Sequence, residues 1–305
     1  MHTPVLTNEV LGLLDPRPGQ FVLDGTVGSG GHALELLKKI LPDGKLLAID
    51  ADRYSILAAE RTLVAAFGRE IVGSHVIFEH DTYARAAQAV SRHGFPLVHA
   101  ALLDLGFSSD QIDSADRPPR GFSFLSDEPL LMTYNDETVA VRDFLPELSV
   151  ADLVKILREF GEERYAMKIA TAIKERERVR PFLTTRDLSE TITAAIPPRY
   201  ARGRIHPATR TFMALRIYAN QELNQLKLFL ADISLIVATG GRVGVISFHS
   251  LEDRLVKRDF LALAKENRGR IITKKPVTAS ANEIRQNARA RSAKFRVLEL
   301  GSNTL

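Results

Sequence analysis

Phe21-Val22-Leu23-Asp24-Gly25-Thr26-Val27-Gly28-Ser29-Gly30-Gly31-His32 decides how the rest of the chain is read. Phe21 to Asp24 is a short apolar run ending on an acid, the pattern of a buried strand. Four glycines then fall within seven residues, and Ala33 to Leu41 follows as an apolar helical pattern with Lys38 and Lys39 near its end. Strand, glycine turn and helix form the ligand-binding opening of a doubly wound α/β domain. Glycine is needed there because the turn demands positive φ and because a ligand approaches bare backbone. The next strand pattern, Lys45 to Asp50, again ends on an acid. Asp50 lies twenty positions past Gly30, where such folds hold a ribose diol.

Two cofactors fit this opening. Gly28-Ser29-Gly30-Gly31-His32-Ala33 satisfies G-x-G-x-x-A, so an NAD(P)-dependent oxidoreductase is one reading. The other is S-adenosylmethionine (SAM), whose sites also use strand-end acids on either side of the glycine turn. Asp24 favours SAM, because its charge repels a pyrophosphate but suits the ammonium of a methionine moiety. An ordinary tight turn accounts for the glycines but not for the two acids.

Outward from this stretch the alternation continues. Asp52 and Gly68 bracket a helical pattern through Ile56, Ala59, Leu63 and Phe67. Val76 to Glu79 reads as a third strand, followed by Asp81-Thr82-Tyr83 in a loop, and Val98 to Asp104 as a fourth. Alternating strands and helices predict a parallel sheet, with ligands beyond the carboxyl ends of its strands. Asp24, Asp50, Asp81 or Tyr83, and Asp104 therefore converge on one edge.

The alternation stops from Leu105 to about Tyr134, and helical patterns follow over 149–160, 162–176 and 184–195. Residues 108–205 read as a helical insertion that selects a substrate, with dimerisation as its plainer role. Residues 1–107 and 206–305 then make up one α/β domain. Its second part has a helical pattern from Pro207 to about Ile236 and a strand from Arg242 to Ser247. Phe248-His249-Ser250 follows at the ligand edge, and then a helix over 251–264. A last strand pair, 270–273 and 295–300, is separated by the basic, polar stretch 274–294. Seven strands are expected.

The 305 residues are 45% hydrophobic, enough for a substantial core. Cysteine is absent, which excludes disulfides and thiolate metal sites and suits a reducing cytoplasm. The eight histidines form no H-E-x-x-H pattern, so no catalytic metal is expected. Met1 to Leu6 lacks a basic region followed by an apolar core, so no secretory leader is expected, and no apolar run is long enough to span a bilayer. A cytoplasmic location is expected. Net charge is +4, but from Lys257 to Arg296 twelve Lys or Arg face three acids. That concentration predicts a polyanionic partner, with a solvated basic face as the bland alternative.

Several segments carry a resemblance that runs nearly end to end. They are His2-Thr-Pro-Val-Leu6, Asp24 to His32, Leu102-Leu-Asp-Leu-Gly-Phe-Ser-Ser109, Gly121-Phe-Ser-Phe124, Gly161-Glu-Glu-Arg164, His206-Pro-Ala-Thr-Arg210 and Ile246-Ser-Phe-His-Ser-Leu-Glu-Asp-Arg254. Asn287-Ala-Arg-Ala-Arg-Ser292 adds a C-terminal signature, with Ala288 where proline is usual. The chain resembles the bacterial 16S rRNA cytosine-N4 methyltransferases, which modify the exocyclic amine of cytidine 1402. The resemblance implies a class I SAM-dependent (Rossmann-like) fold with an inserted helical domain for substrate recognition, and 16S rRNA in the small ribosomal subunit as partner. It assigns SAM contacts to Gly30, Gly31, His32, Asp50, Tyr83, Asp104 and Gln111. The sequence departs from the family at Leu131 and Thr133, where an acid and an arginine are usual. A homologue that binds SAM or ribosomes without full catalysis is therefore a further reading.

An amine conjugated with a cytosine ring is a poor nucleophile, and an acceptor near its hydrogens helps it react. Asp104 is the first candidate, for that task or for the cofactor. His249 and Ser250 are second, for base binding or proton handling. His206 and Arg210 are candidates for an RNA phosphate. Phe107, Phe122 and Phe124 are candidates to stack on a base splayed out of folded RNA.

Overall fold

A computed structural model of the chain describes residues 4–107, 117–201 and 206–301. The chain divides into two compact units, 1–108 with 223–305, and 109–222.

The first unit is built on a seven-stranded sheet: β1 (Phe21–Asp24), β2 (Lys45–Asp50), β3 (Val76–His80), β4 (Val98–Asp104), β5 (Val237–Ser247), β6 (Gly269–Ile271) and β7 (Lys294–Leu300). Their order is β3-β2-β1-β4-β5-β7-β6. β1 to β5 pair in parallel, and β7 runs antiparallel to both β5 and β6. The strand order reverses between β1 and β4, and such a switch point opens a crevice at the strands' carboxyl ends.

Successive strand residues serve opposite faces, as the pleat requires. Val22, Leu46, Ala48, Ala100 and Leu102 join one core with Leu36, Leu37 and Leu63 from helices Gly31–Ile40 and Arg53–Phe67. Leu23, Leu47, Ile49, Ala101 and Leu103 join the other, with Ala89, Leu226, Phe229 and Phe260. Both faces are covered, which is why these strands read as continuous apolar runs rather than alternating ones.

The second unit is helical. Helices Val150–Gly161, Ala166–Val179, Thr185–Ala195 and Thr209–Ala219 supply Leu153, Leu157, Ile169, Ile173, Leu188, Ile192, Phe212 and Leu215 to one core. Asn220 ends the last of these helices. Its side chain donates to the Met132 carbonyl at 2.7 Å, and its Oδ1 accepts from the Tyr134 N–H at 3.1 Å. Glu222, buried, pairs with Arg216 at 2.7 Å and accepts from the Tyr134 hydroxyl, at 3.2 Å from Oε1.

Three sequence expectations change. The α/β domain was expected to resume at residue 206, but Thr209–Ala219 packs in the helical core, and the return comes at 223. An amphipathic pattern shows that a face is buried, not which core buries it. The helix expected from Pro207 to Ile236 is broken into Thr209–Ala219, Glu222–Ala231 and Ile233–Ile236, with Gln221 at φ 51° at the first break. The stretch 274–294 was expected to be polar with little demand for burial. It contains helix Ala281–Gln286 and a 3-10 turn at Ala288–Ser292, and it buries Ala290 and Ala293. Among the described residues no helix is long and apolar enough to cross a membrane.

Candidate functional site

The sheet register places the acids. Asp24 is opposite Ala48 on β2 and Leu102 on β4, so Asp50 and Asp104 each stand two residues further along, at the same carboxyl edge. Four backbone bonds shape the turn between them. Gly25 N–H donates to Leu102 O, Val27 N–H to Ile49 O, Gly30 N–H to Val27 O, and Leu34 N–H to Gly30 O.

Gly30 has φ +88°, and a Cβ there would lie 3.0 Å from the Ala59 Cα. Any larger residue is both strained and crowded against helix Arg53–Phe67. Gly31 is held by a different neighbour, the Pro4 ring, about which a Cβ would crowd at 3.1 Å. Gly30 is the N-cap of helix Gly31–Ile40 and provides no side-chain cap. The first N–H groups of that helix are therefore a site for a ligand's anionic group.

Asp50 was expected to hold a ribose diol. Its Oδ2 accepts from Gly28 N–H at 2.9 Å and its Oδ1 from Asp52 N–H at 2.9 Å. It thus ties the glycine turn to β2. Asp50→Ala is expected to weaken SAM binding about tenfold or more, since a charge-assisted hydrogen bond contributes roughly 1.5–3 kcal/mol. It should also lower the melting temperature by freeing the turn. Isothermal titration reads the first effect, and unchanged affinity would move the cofactor elsewhere.

Asp24 is fully buried. Its Oδ1 accepts from Thr26 N–H at 3.2 Å, and its Oδ2 has no hydrogen-bond partner among the described residues. Burial pushes its pKa up to about 7, the His32 charge and the Thr26 N–H pull it down, and the Asp104 and Asp50 charges raise it further. His32, also buried, points Nε2 to within 3.6 Å of Asp104 Oδ2. Asp104 sits at the end of β4, and its N–H donates to Thr26 Oγ1 at 2.6 Å. Asp104 Oδ1 and His32 Nε2 are likewise buried and without a hydrogen-bond partner among the described residues. Buried polar atoms normally find partners. Three such atoms on one edge, beside a glycine turn and an uncapped helix, fit a polar ligand that completes them.

Tyr83 begins a 3-10 turn just after β3, and its ring meets Phe229 edge-on at 6.1 Å. Its Cβ would lie 3.2 Å from a Cβ on Gly25, so it borders the same turn. Gln111 lies outside the described residues.

His249 also reaches this edge, since β5 pairs with β4 and Ile246 is opposite Asp104. The structure gives it a local task. It is the N-cap of helix Ser250–Lys265, with Nδ1 accepting from Glu252 N–H at 3.4 Å. Glu252 Oε2 returns the contact by accepting from Phe248 N–H and His249 N–H. His249 Nε2 is 3.1 Å from Glu252 Oε1. His249→Ala is expected to cost about 0.5–2 kcal/mol through the lost cap, whereas His249→Asn keeps the cap. Urea denaturation separates the two, and equal loss in both variants would contradict the capping role. Ser250 is the first residue of the same helix and is exposed.

His206 and Arg210 belong to the helical unit. His206 is exposed and stacks on Phe124 with centroids 4.6 Å apart, and its Nδ1 accepts from Ala208 N–H at 3.2 Å. Arg210 Nη1 donates to the Glu162 carbonyl at 3.0 Å, so its partner there is backbone rather than an acid. Phe122 stacks on Tyr134 at 5.3 Å. Thr133, where the resemblance expects arginine, is buried.

The basic surplus is smaller than the sequence count. Arg296 and Lys294 pair with Asp253 at 2.6 and 3.4 Å, and Arg270 pairs with Glu299 at 2.9 Å. Burial pushes the Asp253 carboxyl up, and the Arg296 and Lys294 pairs outweigh it and hold it below the usual carboxylate range. Both acids lie outside the Lys257–Arg296 window, so counting within it missed them. Arg289 sits over the Phe107 ring at 5.9 Å. Lys274, Lys275, Arg285 and Arg291 are exposed.

This strand order with β7 antiparallel, and strand-end acids around a glycine turn, is the architecture of the class I SAM-dependent methyltransferases. Within that class the chain belongs to the MraW methylase family, which matches it over residues 1–300. It is 42% identical to the ribosomal RNA small subunit methyltransferase H of Syntrophotalea carbinolica, covering 97% of each chain. It is 43% identical to the protein of the same name from Solidesulfovibrio magneticus, over 98% of this chain and 95% of that one. The figure is 40% for the Geobacter sp. strain M21 protein, over 98% of each. The cofactor is therefore SAM, and the nicotinamide reading of Gly28 to Ala33 is withdrawn.

Proposed function

We propose that this protein transfers a methyl group from SAM to the exocyclic N4 amine of a cytidine in 16S rRNA of the small ribosomal subunit, cytidine 1402 in the family's pattern. The observation that carries the site is the trio of buried atoms on Asp24, His32 and Asp104 that have no hydrogen-bond partner among the described residues. The relatives' names support ribosomal RNA as the substrate.

SAM supplies an activated methyl on its sulfonium, so the protein's task is to position the reactants and handle a proton. The N–H groups opening helix Gly31–Ile40 hold the carboxylate of the methionine moiety, and Asp24 faces its positive charge. Asp50 takes the ribose hydroxyls, and Tyr83 borders the adenosine. Asp104 Oδ1 accepts a hydrogen bond from the cytosine amine, localises its lone pair, and takes the proton as the N–C bond forms and the donor's S–CH3 bond breaks, its electron pair returning to sulfur to leave the neutral thioether. The Thr26 hydroxyl fixes the end of β4, which keeps that oxygen in place. His249 and Ser250 close the same edge, His249 chiefly by capping its helix. Phe107, under the Arg289 guanidinium, offers a stacking surface to the base. In the helical unit, His206 and Arg210 contact the RNA backbone.

Incubation with tritiated SAM and small subunits lacking the modification tests this reading. The expected result is label in 16S rRNA. SAM binding with no label in RNA would favour a homologue that has lost catalysis, in line with Leu131 and Thr133.

A further inference from the structure

The carboxyl of Asp24 has one bonded oxygen and one without a partner among the described residues, and no exposure to water. The groups facing it come from every neighbouring element. Asp104 stands on β4, Asp50 on β2, His32 on helix Gly31–Ile40, and Tyr83 beside Gly25. Two of these are acids that disfavour a third negative charge, and burial outweighs the His32 charge and the Thr26 N–H that favour it. Asp50 spends its oxygens on two N–H groups, and Asp104 is a quarter exposed. Of the three acids, Asp24 is the one shut off from water.

We infer that Asp24 holds a proton in the ligand-free enzyme and gives it up when SAM binds, so that capture of the cationic donor releases a proton. This rests on the placement of SAM at the glycine turn. Bound there, SAM brings positive charge next to the carboxyl and favours its ionised form. The proton leaves from Asp24 Oδ2 to solvent, and an ion pair replaces the neutral acid. The free-state pKa of about 7 sets the window. A ligand that prefers the ionised form binds more tightly as pH rises toward that value, and gains nothing more above it. The ligand's own amine titrates at about 7.7–8.0, so the range below pH 7 isolates the protein's contribution.

The test is titration calorimetry with SAM in buffers of different ionisation enthalpy, at pH 6 and pH 7. The wild-type protein is expected to release about one proton per SAM at pH 6 and about half a proton at pH 7. Affinity should rise nearly tenfold per unit below pH 6.5, roughly as one-proton linkage requires. Asp24→Asn, which mimics the protonated acid in shape, should bind SAM more weakly, release no proton and lose the pH dependence. His32→Gln should still release it. S-adenosylhomocysteine identifies the charge that displaces the proton. Release with both ligands assigns the ammonium, and release with SAM alone assigns the sulfonium. Tight SAM binding with no proton release at pH 6, or release that persists in Asp24→Asn, overturns the inference and leaves the cofactor site standing. Asp24→Asn and Asp50→Ala that both bind SAM like wild type would remove the site itself. Infrared difference spectra give a second reading, through loss of a protonated carboxyl band when SAM is added.

Discussion

Asp104→Asn is expected to slow single-turnover methyl transfer by about 10²–10⁴-fold, the range for removing a positioned general base. SAM affinity should stay within a few-fold. The substitution keeps the shape and one acceptor oxygen but cannot take a proton. Asp104 is suited to the role because its Oδ1 is buried and without a hydrogen-bond partner among the described residues, while its backbone is pinned to Thr26. If SAM binding falls as far as the rate, the carboxylate serves the cofactor instead. A rate close to wild type would take the reaction away from the end of β4.

The second large effect concerns RNA. Lys274, Lys275, Arg285 and Arg291 are exposed and clustered in sequence. Changing all four to Gln is expected to weaken small-subunit binding on the order of 10²-fold and to flatten the plot of log affinity against log salt by about three units. SAM affinity should not change. Arg289 is left out of the set because it sits over Phe107. A variant with the wild-type salt slope would make this segment a solvated face. Arg117 and Arg210 in the helical unit would be tested next. Arg120 is a poor choice, being buried and paired with Asp136 at 2.8 Å. Arg199 is also a candidate there, and Arg202 and Arg204 lie outside the described residues.

What the sequence reveals and what it hides follow physical lines. Strands β1, β2 and β4 are legible because both sheet faces are buried there and each strand ends on an acid. Helix Arg53–Phe67 is legible from its caps, since Asp52 accepts from Tyr54 N–H and Gly68 ends the helix at φ +85°. The strand-end acids could be placed on one edge because parallel pairing fixes where strands stop. Long-range contacts were not legible. Glu283 accepts from Leu6 N–H at 2.7 Å across nearly the whole chain, and no local pattern announces it. The pairing of Asp253 with Arg296 and of Glu299 with Arg270 is equally remote from charge counting within a window. His249 looked like a reactive histidine because it follows a strand. Its capping role shows only in the reciprocal bonds with Glu252. A signal was present, since a polar residue followed three positions later by Glu is the spacing of a capping box. Helix Arg69–His75 was missed because Gly68 reads as a stop, although it also begins the next helix.

The central claim is that this chain methylates a cytosine amine in small-subunit RNA. The most direct measurement is nucleoside mass spectrometry on 16S rRNA from small subunits lacking the modification, after incubation with the protein and SAM. The account predicts N4-methylcytidine at a single position, lost with Asp104→Asn. Methylation only at cytosine C5 or on a ribose hydroxyl would contradict it.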